Sequence, residues 1–188
     1  MAKPTFAVML QEDEYQTYVV PRATFTLIPM NYQRRLQEGF NIIGGIAPVT
    51  CLFIIAHGLE GAAQAGNSTQ YAAGLGVALG FEGIFHHNAG LWAKLHGNVK
   101  NIVVYACNAA TTGGPAMRGG FADGKYLMGS LAIYSGANVY AADRLQQADV
   151  SASASVDFGP WEGQVWEFLP SGTPPRPVAK PPWELSDL

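Results

Sequence analysis

Two apolar runs of strand length dominate the hydropathy pattern, Cys51-Leu52-Phe53-Ile54-Ile55-Ala56 and Ile102-Val103-Val104-Tyr105-Ala106, and each leads directly into a reactive side chain, His57 and Cys107. A continuous apolar run bounded by turn-formers reads as a strand buried on both faces of a parallel sheet. Such a strand presents whatever follows it at its carboxyl end, where open α/β sheets carry their sites. The fifty positions from His57 to Cys107 leave room for one crossover with its helix. The spacing therefore predicts neighbouring strands with both tips on one edge of the sheet.

Before this pair, residues 5–10 and 15–20 are apolar, aromatic and β-branched around a polar Gln11-Glu12-Asp13-Glu14 break, which predicts a hairpin or edge pair. A third strand is expected over 24–28, set apart by Pro21. Residues 31–40 predict a short helix with Asn31 as its cap, and 42–48, with Gly44-Gly45, a loop. Residues 58–80 are rich in Gly, Ala, Ser and Asn and predict a long functional loop. Leu91, Trp92 and Leu95 then fall at helical spacing behind Asn88, predicting a capped crossover helix that ends near Gly97.

After Cys107 and a second Gly-rich stretch, residues 126–134 predict another helix, closed by Ser135-Gly136. Residues 138–142 predict a strand with Asp143-Arg144 at its tip, and 164–169 a late strand. Six prolines in 170–188 predict an extended or partly disordered tail with Trp183 docking back. The alternation of strand and helix supports an α/β class with a mostly parallel sheet, as one domain over 1–169 followed by the proline-rich tail 170–188.

Composition narrows the function. A chain of 188 residues, 48% hydrophobic and 13% charged, can bury one sizeable core. Its net charge of −3, without a Lys/Arg cluster, argues against a nucleic-acid partner. No apolar run reaches the roughly 18 residues of a membrane span, and Met1-Ala2-Lys3-Pro4 lacks the apolar core of a signal peptide. The expectation is a soluble, cytoplasmic protein with no membrane span, export without a cleaved signal staying open. Cys51 and Cys107 lie at opposite ends of their strands, too far apart for a disulfide. His86, His87 and His96 lack a completing carboxylate or thiol at ligand spacing, so no metal is expected. The Gly74 to Gly80 stretch misses the dinucleotide fingerprint and no phosphate loop is present, so no cofactor is expected either.

Taken singly, His57 reads as a satisfied strand-end histidine and Cys107 as a core thiol. Together they make a nucleophile and a proton carrier, since an imidazole beside a thiol lowers its pKa and can protonate a leaving group. Gly58 adds a backbone N–H that can come close to a substrate oxygen.

At these residues the chain resembles the caspase-like cysteine peptidases of clan CD. The matching blocks are Leu52-Phe53-Ile54-Ile55-Ala56-His57-Gly58 and Ile102-Val103-Val104-Tyr105-Ala106-Cys107, with the histidine about fifty residues ahead of the cysteine as in caspases. Within the clan the chain is most similar to poorly characterised bacterial domains whose second block commonly reads Tyr-Gly-Cys-Asn; Tyr105-Ala106-Cys107-Asn108 stands there here. Ser135-Gly136-Ala137-Asn138-Val139 and Ala141-Ala142-Asp143 also fit, so the resemblance covers roughly residues 50–145.

The resemblance implies a caspase-like three-layer sandwich, its mostly parallel sheet flanked by helices, with antiparallel additions expected at the N-terminus. It implies Cys107 as nucleophile, His57 as proton donor, and an oxyanion site from the N–H groups of Gly58 and Cys107. Its partner is then a protein or peptide substrate. The caspase pattern Gln-Ala-Cys-Arg-Gly is replaced by Tyr-Ala-Cys-Asn-Ala, so aspartate specificity does not carry over. Asp143 stands where related enzymes build part of the first specificity pocket and could take a basic side chain, or it serves only as a turn carboxylate or a partner of Arg144. Arg118 and Lys125, in the second Gly-rich stretch, offer a self-cleavage site or simply an uncut surface loop. The competing reading is a catalytically inactive binding or assembly domain on the same fold.

Overall fold

A computed structural model describes residues 7–12, 25–65, 68–112, 123–144, 146, 149–150, 156–157 and 160–187. Its two apolar runs form β3 (Val49–Ile55) and β6 (Val99–Tyr105), which pair in parallel from Val49↔Val99 to Ile55↔Tyr105. On the far side of β6 lies β7 (Asn138–Ala142), also parallel. On the other side of β3 lie β1 (Ala7–Glu12) and then β2 (Phe25–Met30), both parallel. Strands β8 (Asp149–Val150) and β9 (Val156–Asp157) form a separate antiparallel pair, and past β7 the strands β10 (Val165–Phe168) and β11 (Arg176–Val178) add antiparallel members to the main sheet. The result is an α/β fold around a mostly parallel seven-stranded sheet in the order β11-β10-β7-β6-β3-β1-β2.

The N-terminal expectation is corrected on two points. Strand β1 is flanked by parallel partners on both sides, β2 and β3, so it is no edge and has no free side for a hairpin with 15–20, and the antiparallel strands described in this sheet lie at its C-terminal side. The physical reason is burial: Ala7, Val8 and Leu10 are fully covered because β1 sits inside the sheet between β2 and β3. The polar break after Gln11 is thus the start of a long connection, of the dozen or so residues that parallel neighbours require. The expected strand over 15–20 lies outside the described residues. Both sheet edges carry a proline, Pro29 in β2 and Pro177 in β11, which is where a residue without an N–H is tolerated.

Three helical elements cover one face: α1 (Leu36–Ile46), a 3-10 helix (His86–Leu95) and α2 (Gly124–Ser135). They bury Phe40, Ile43, Trp92, Leu95, Leu127 and Leu131 against Leu52, Ile54, Ile102 and Val104. One face suffices because the steps from β2 to β3, β3 to β6 and β6 to β7 all run the same way across the sheet, and right-handed crossovers then share a side. The opposite face carries Met9, Phe53, Ile55, Tyr105 and Tyr140, packed by Trp161, Val178, Trp183 and Leu185. Among the described residues this second cover is the C-terminal chain, not a second layer of long helices. The proline-rich tail is therefore ordered onto the core, with Trp183 docked back as expected.

Local boundaries also moved. Helix α1 runs through Gly44 and Gly45, corrected from a loop, because Leu36, Phe40 and Ile43 make a continuous buried stripe while both glycines face open space. Its first N–H is met by Glu82 Oε2 at 2.9 Å, whereas Asn31 accepts from Gln33 N and Arg34 N in the preceding turn. Asn88 sits inside the 3-10 helix and reaches back, accepting from Phe85 N and donating to Gly83 O, each at 2.9 Å. Helix α2 starts on Asp123, which accepts from Tyr126 N, and closes at Gly136 with φ 68° as its sequence predicts. Lys125 falls in the first turn of α2 rather than in a loop, and Arg118 lies outside the described residues.

The stretch 58–80, expected to be a loop, is mostly a β-hairpin of β4 (His57–Ala65) and β5 (Ser68–Ala78). Three of its glycines, Gly58, Gly74 and Gly76, mark close backbone approach instead of turns. A Cβ on Gly76 would meet the Phe85 ring at 2.8 Å, and one on Gly74, at φ 74°, would lie 2.8 Å from Gly124 N.

Candidate active site

The register of β3 and β6 sets the site. Ile55 pairs with Tyr105, and Ala56 N continues the ladder to Tyr105 O at 3.2 Å. His57 and Cys107 therefore stand at equivalent positions, each two residues beyond the last pair and on the same edge of the sheet. His57 is exposed and Cys107 half-buried.

Gly58 ties the two tips together. A Cβ on it would fall inside the Cys107 carbonyl group, 2.6 Å from the carbonyl carbon, so only glycine fits. The structure brings the backbones of His57, Gly58 and Cys107 to one edge, on neighbouring strand tips as the spacing predicts. A third contact fixes the other side of His57, whose backbone N–H donates to Glu12 Oε2 at 2.8 Å.

The turn after Cys107 is held to the tip of β7. Asn108 adopts a left-handed conformation (φ 54°) and its N–H donates to Arg144 O at 2.9 Å. Ala110 N donates to Ala142 O at 2.9 Å, and the Thr111 hydroxyl to Asp143 O. From the α2 side Gly124 presses on the turn: a Cβ there would lie 2.9 Å from Thr111 N. The Cys107 thiol itself points to Gln146 O, 3.6 Å away, while Gln146 Nε2 is pinned to Glu162 O at 2.9 Å. The Cys107 N–H donates to no group among the described residues.

Asp143 lies beside this turn, yet its oxygens already accept bonds. Oδ1 takes Gln164 N at 2.9 Å and Oδ2 takes Trp166 Nε1 at 3.0 Å. It lines an open cleft of about 230 Å³ with Ala110, Thr111, Thr112, Lys125 and Arg144. Lys125 Nζ sits 3.1 Å over the Trp166 ring, a cation–π contact that holds the ammonium at the cleft.

Cys51 is far from the site. It pairs with Asn101, six residues before Cys107, which at strand rise is roughly 20 Å. Burial pushes its thiol well above the ordinary range, so it stays a protonated core group. Among the described residues no three His, Cys, Asp or Glu side chains gather as a metal site would need. No helix among them is long and apolar enough to cross a membrane.

Two residues at the site were not legible in the sequence. Gln146 lies four residues past the end of β7, outside any apolar or periodic segment of the sequence. Glu12 lies in an acidic run that reads as a turn, and only the placement of β1 beside β3 brings it to His57. No protein-family model matches the chain, and no curated protein matches it.

Proposed function

We propose that the chain is a caspase-like cysteine endopeptidase working through an acyl-enzyme on Cys107. The observation that carries this reading is the pair of matched strand tips, two residues past Ile55 and Tyr105, locked by the Gly58 backbone against Cys107. Neighbouring strand tips that carry a histidine and a cysteine support this reading, since nucleophilic catalysis needs an imidazole within reach of a thiol.

In the proposed reaction His57 takes the thiol proton and the Cys107 sulfur attacks the peptide carbonyl carbon. The N–H groups of Cys107 and Gly58 receive the oxyanion, and the Cys107 N–H, which has no acceptor among the described residues, suits that task. His57 then gives its proton to the departing amine as the C–N bond breaks, leaving a thioester. A water, deprotonated by His57, attacks the thioester; the C–S bond breaks and the thiol is restored as the carboxylic product leaves.

The substrate is a protein or peptide. A preference for a basic residue before the scissile bond rests on Asp143, whose carboxylate is shared with Gln164 and Trp166 and stands near Lys125 and Arg144. The second reading, an inactive assembly domain on the same fold, is favoured by one observation: the thiol is turned to Gln146 O. Digestion of a peptide library with wild type and Cys107→Ala separates the two. Cleavage lost in the variant supports the peptidase, and its pattern around Lys and Arg tests Asp143. Equal, null digestion by both proteins leaves the assembly domain.

A further inference from the structure

We infer that Glu12 is a positioning residue for His57, an inference that rests on the His57–Cys107 reading above. Strand β1 sends the chain to β2 on one side, whereas β3 sends it to β6 on the other. The carboxyl ends of β1 and β3 thus flank a reversal of strand order, the place where open α/β sheets take ligands. His57 leaves that sheet to open β4 opposite Ala78, and its N–H needs an acceptor.

Glu12, the last residue of β1, supplies it for His57. Its neighbour Gln11 pairs with Ile55, so the carboxylate is carried to the residue two past the end of β3, where Oε2 accepts His57 N at 2.8 Å. A carboxylate bond to a backbone N–H is charge-assisted and stronger than a neutral one. One residue later, Gly58 is wedged on Cys107. The His57 backbone is therefore held on both flanks, by Glu12 and by Gly58. With the backbone fixed, the ring has only its own rotamers through which to move relative to the sulfur. Catalytic geometry is sensitive at this scale, since about 1 Å of misplacement can lower a rate roughly a hundredfold. The described bond joins Glu12 to the His57 backbone, so its role is one of positioning, exerted through His57.

The test is a double-mutant cycle on the full-length protein, read as the rate of Cys107 alkylation by iodoacetamide in the folded state. Glu12→Ala is expected to slow alkylation about tenfold in the wild-type background and to have no effect in a His57→Ala background. Glu12→Gln, which keeps an acceptor oxygen, is expected to restore most of the rate, and it serves in place of Glu12→Ala should the latter not fold. Hydrogen exchange at the His57 amide should quicken in Glu12→Ala and stay slow in Glu12→Gln. Equal slowing in both backgrounds, no slowing at all, or an unchanged His57 amide overturns the proposal. Alkylation that ignores His57→Ala counts against the dyad itself. Full coupling between Glu12 and His57 without hydrolysis of any peptide supports the positioning role and contradicts only the peptidase.

Discussion

The two faces of the sheet are closed by different means. One is covered by three helical elements and is mostly aliphatic; its aromatic residues are Phe168, with Trp166 packed at the margin, and Phe40 and Trp92, whose rings meet edge-on at 4.9 Å. The other is covered by the C-terminal chain and is aromatic and hydrogen-bonded. Trp161 stacks on Tyr105 at 4.4 Å, its Nε1 donates to Glu184, and Leu185 N donates to the Tyr105 hydroxyl. The first face holds by packing that any well-filled core would give, while the second depends on particular polar partners in a tail that composition alone would release. Tyr105 also stands two residues before Cys107, so the tail braces the strand that carries the thiol.

The largest effect should come from the helical face. Phe40→Ala, emptying a buried site against Trp92, is expected to cost about 3–5 kcal/mol in urea unfolding. Deleting residues 179–188 removes Trp183, Glu184 and Leu185 from the second face and should cost about 2–3 kcal/mol. A truncated protein as stable as the full chain would mean that the tail covers nothing of consequence.

A smaller effect separates the faces by pH. Burial raises the Glu167 carboxyl, but hydrogen bonds from Arg176 and the Tyr140 hydroxyl outweigh this and hold it below the usual carboxylate range. A depressed folded-state value gives stability that is present above the unfolded value, near 4.3, and is lost as pH falls through the folded one. Acid should therefore loosen β11 from β10, and Glu167→Gln should flatten stability against pH below about 4, measured by exchange of β11 amides. Least of all, Tyr105→Phe leaves Leu185 N without its acceptor and should cost about 1 kcal/mol.

What the sequence revealed follows the same division. Strands β3, β6 and β7, helix α2 and the adjacency of the β3 and β6 tips were readable because each rests on a continuous apolar or periodic segment with its own terminators. The N-terminal strands were misjudged because Gln11-Glu12-Asp13-Glu14 looks the same whether it turns a hairpin or opens a crossover. The β4–β5 hairpin was missed because Gly58, Gly74 and Gly76 have the composition of a loop, although they are there to let backbones touch. Glu12 could not be found at all without knowing that β1 lies beside β3. Position across the sheet, rather than local pattern, was the missing information.

The most direct test of the central claim is mass spectrometry of the native protein after exposure to a set of peptidyl electrophiles differing in the residue at the reactive carbonyl. One adduct is expected, on Cys107, lost in His57→Ala and absent from Cys51. Modification of Cys107 only after denaturation, or native labelling indifferent to His57, would contradict it.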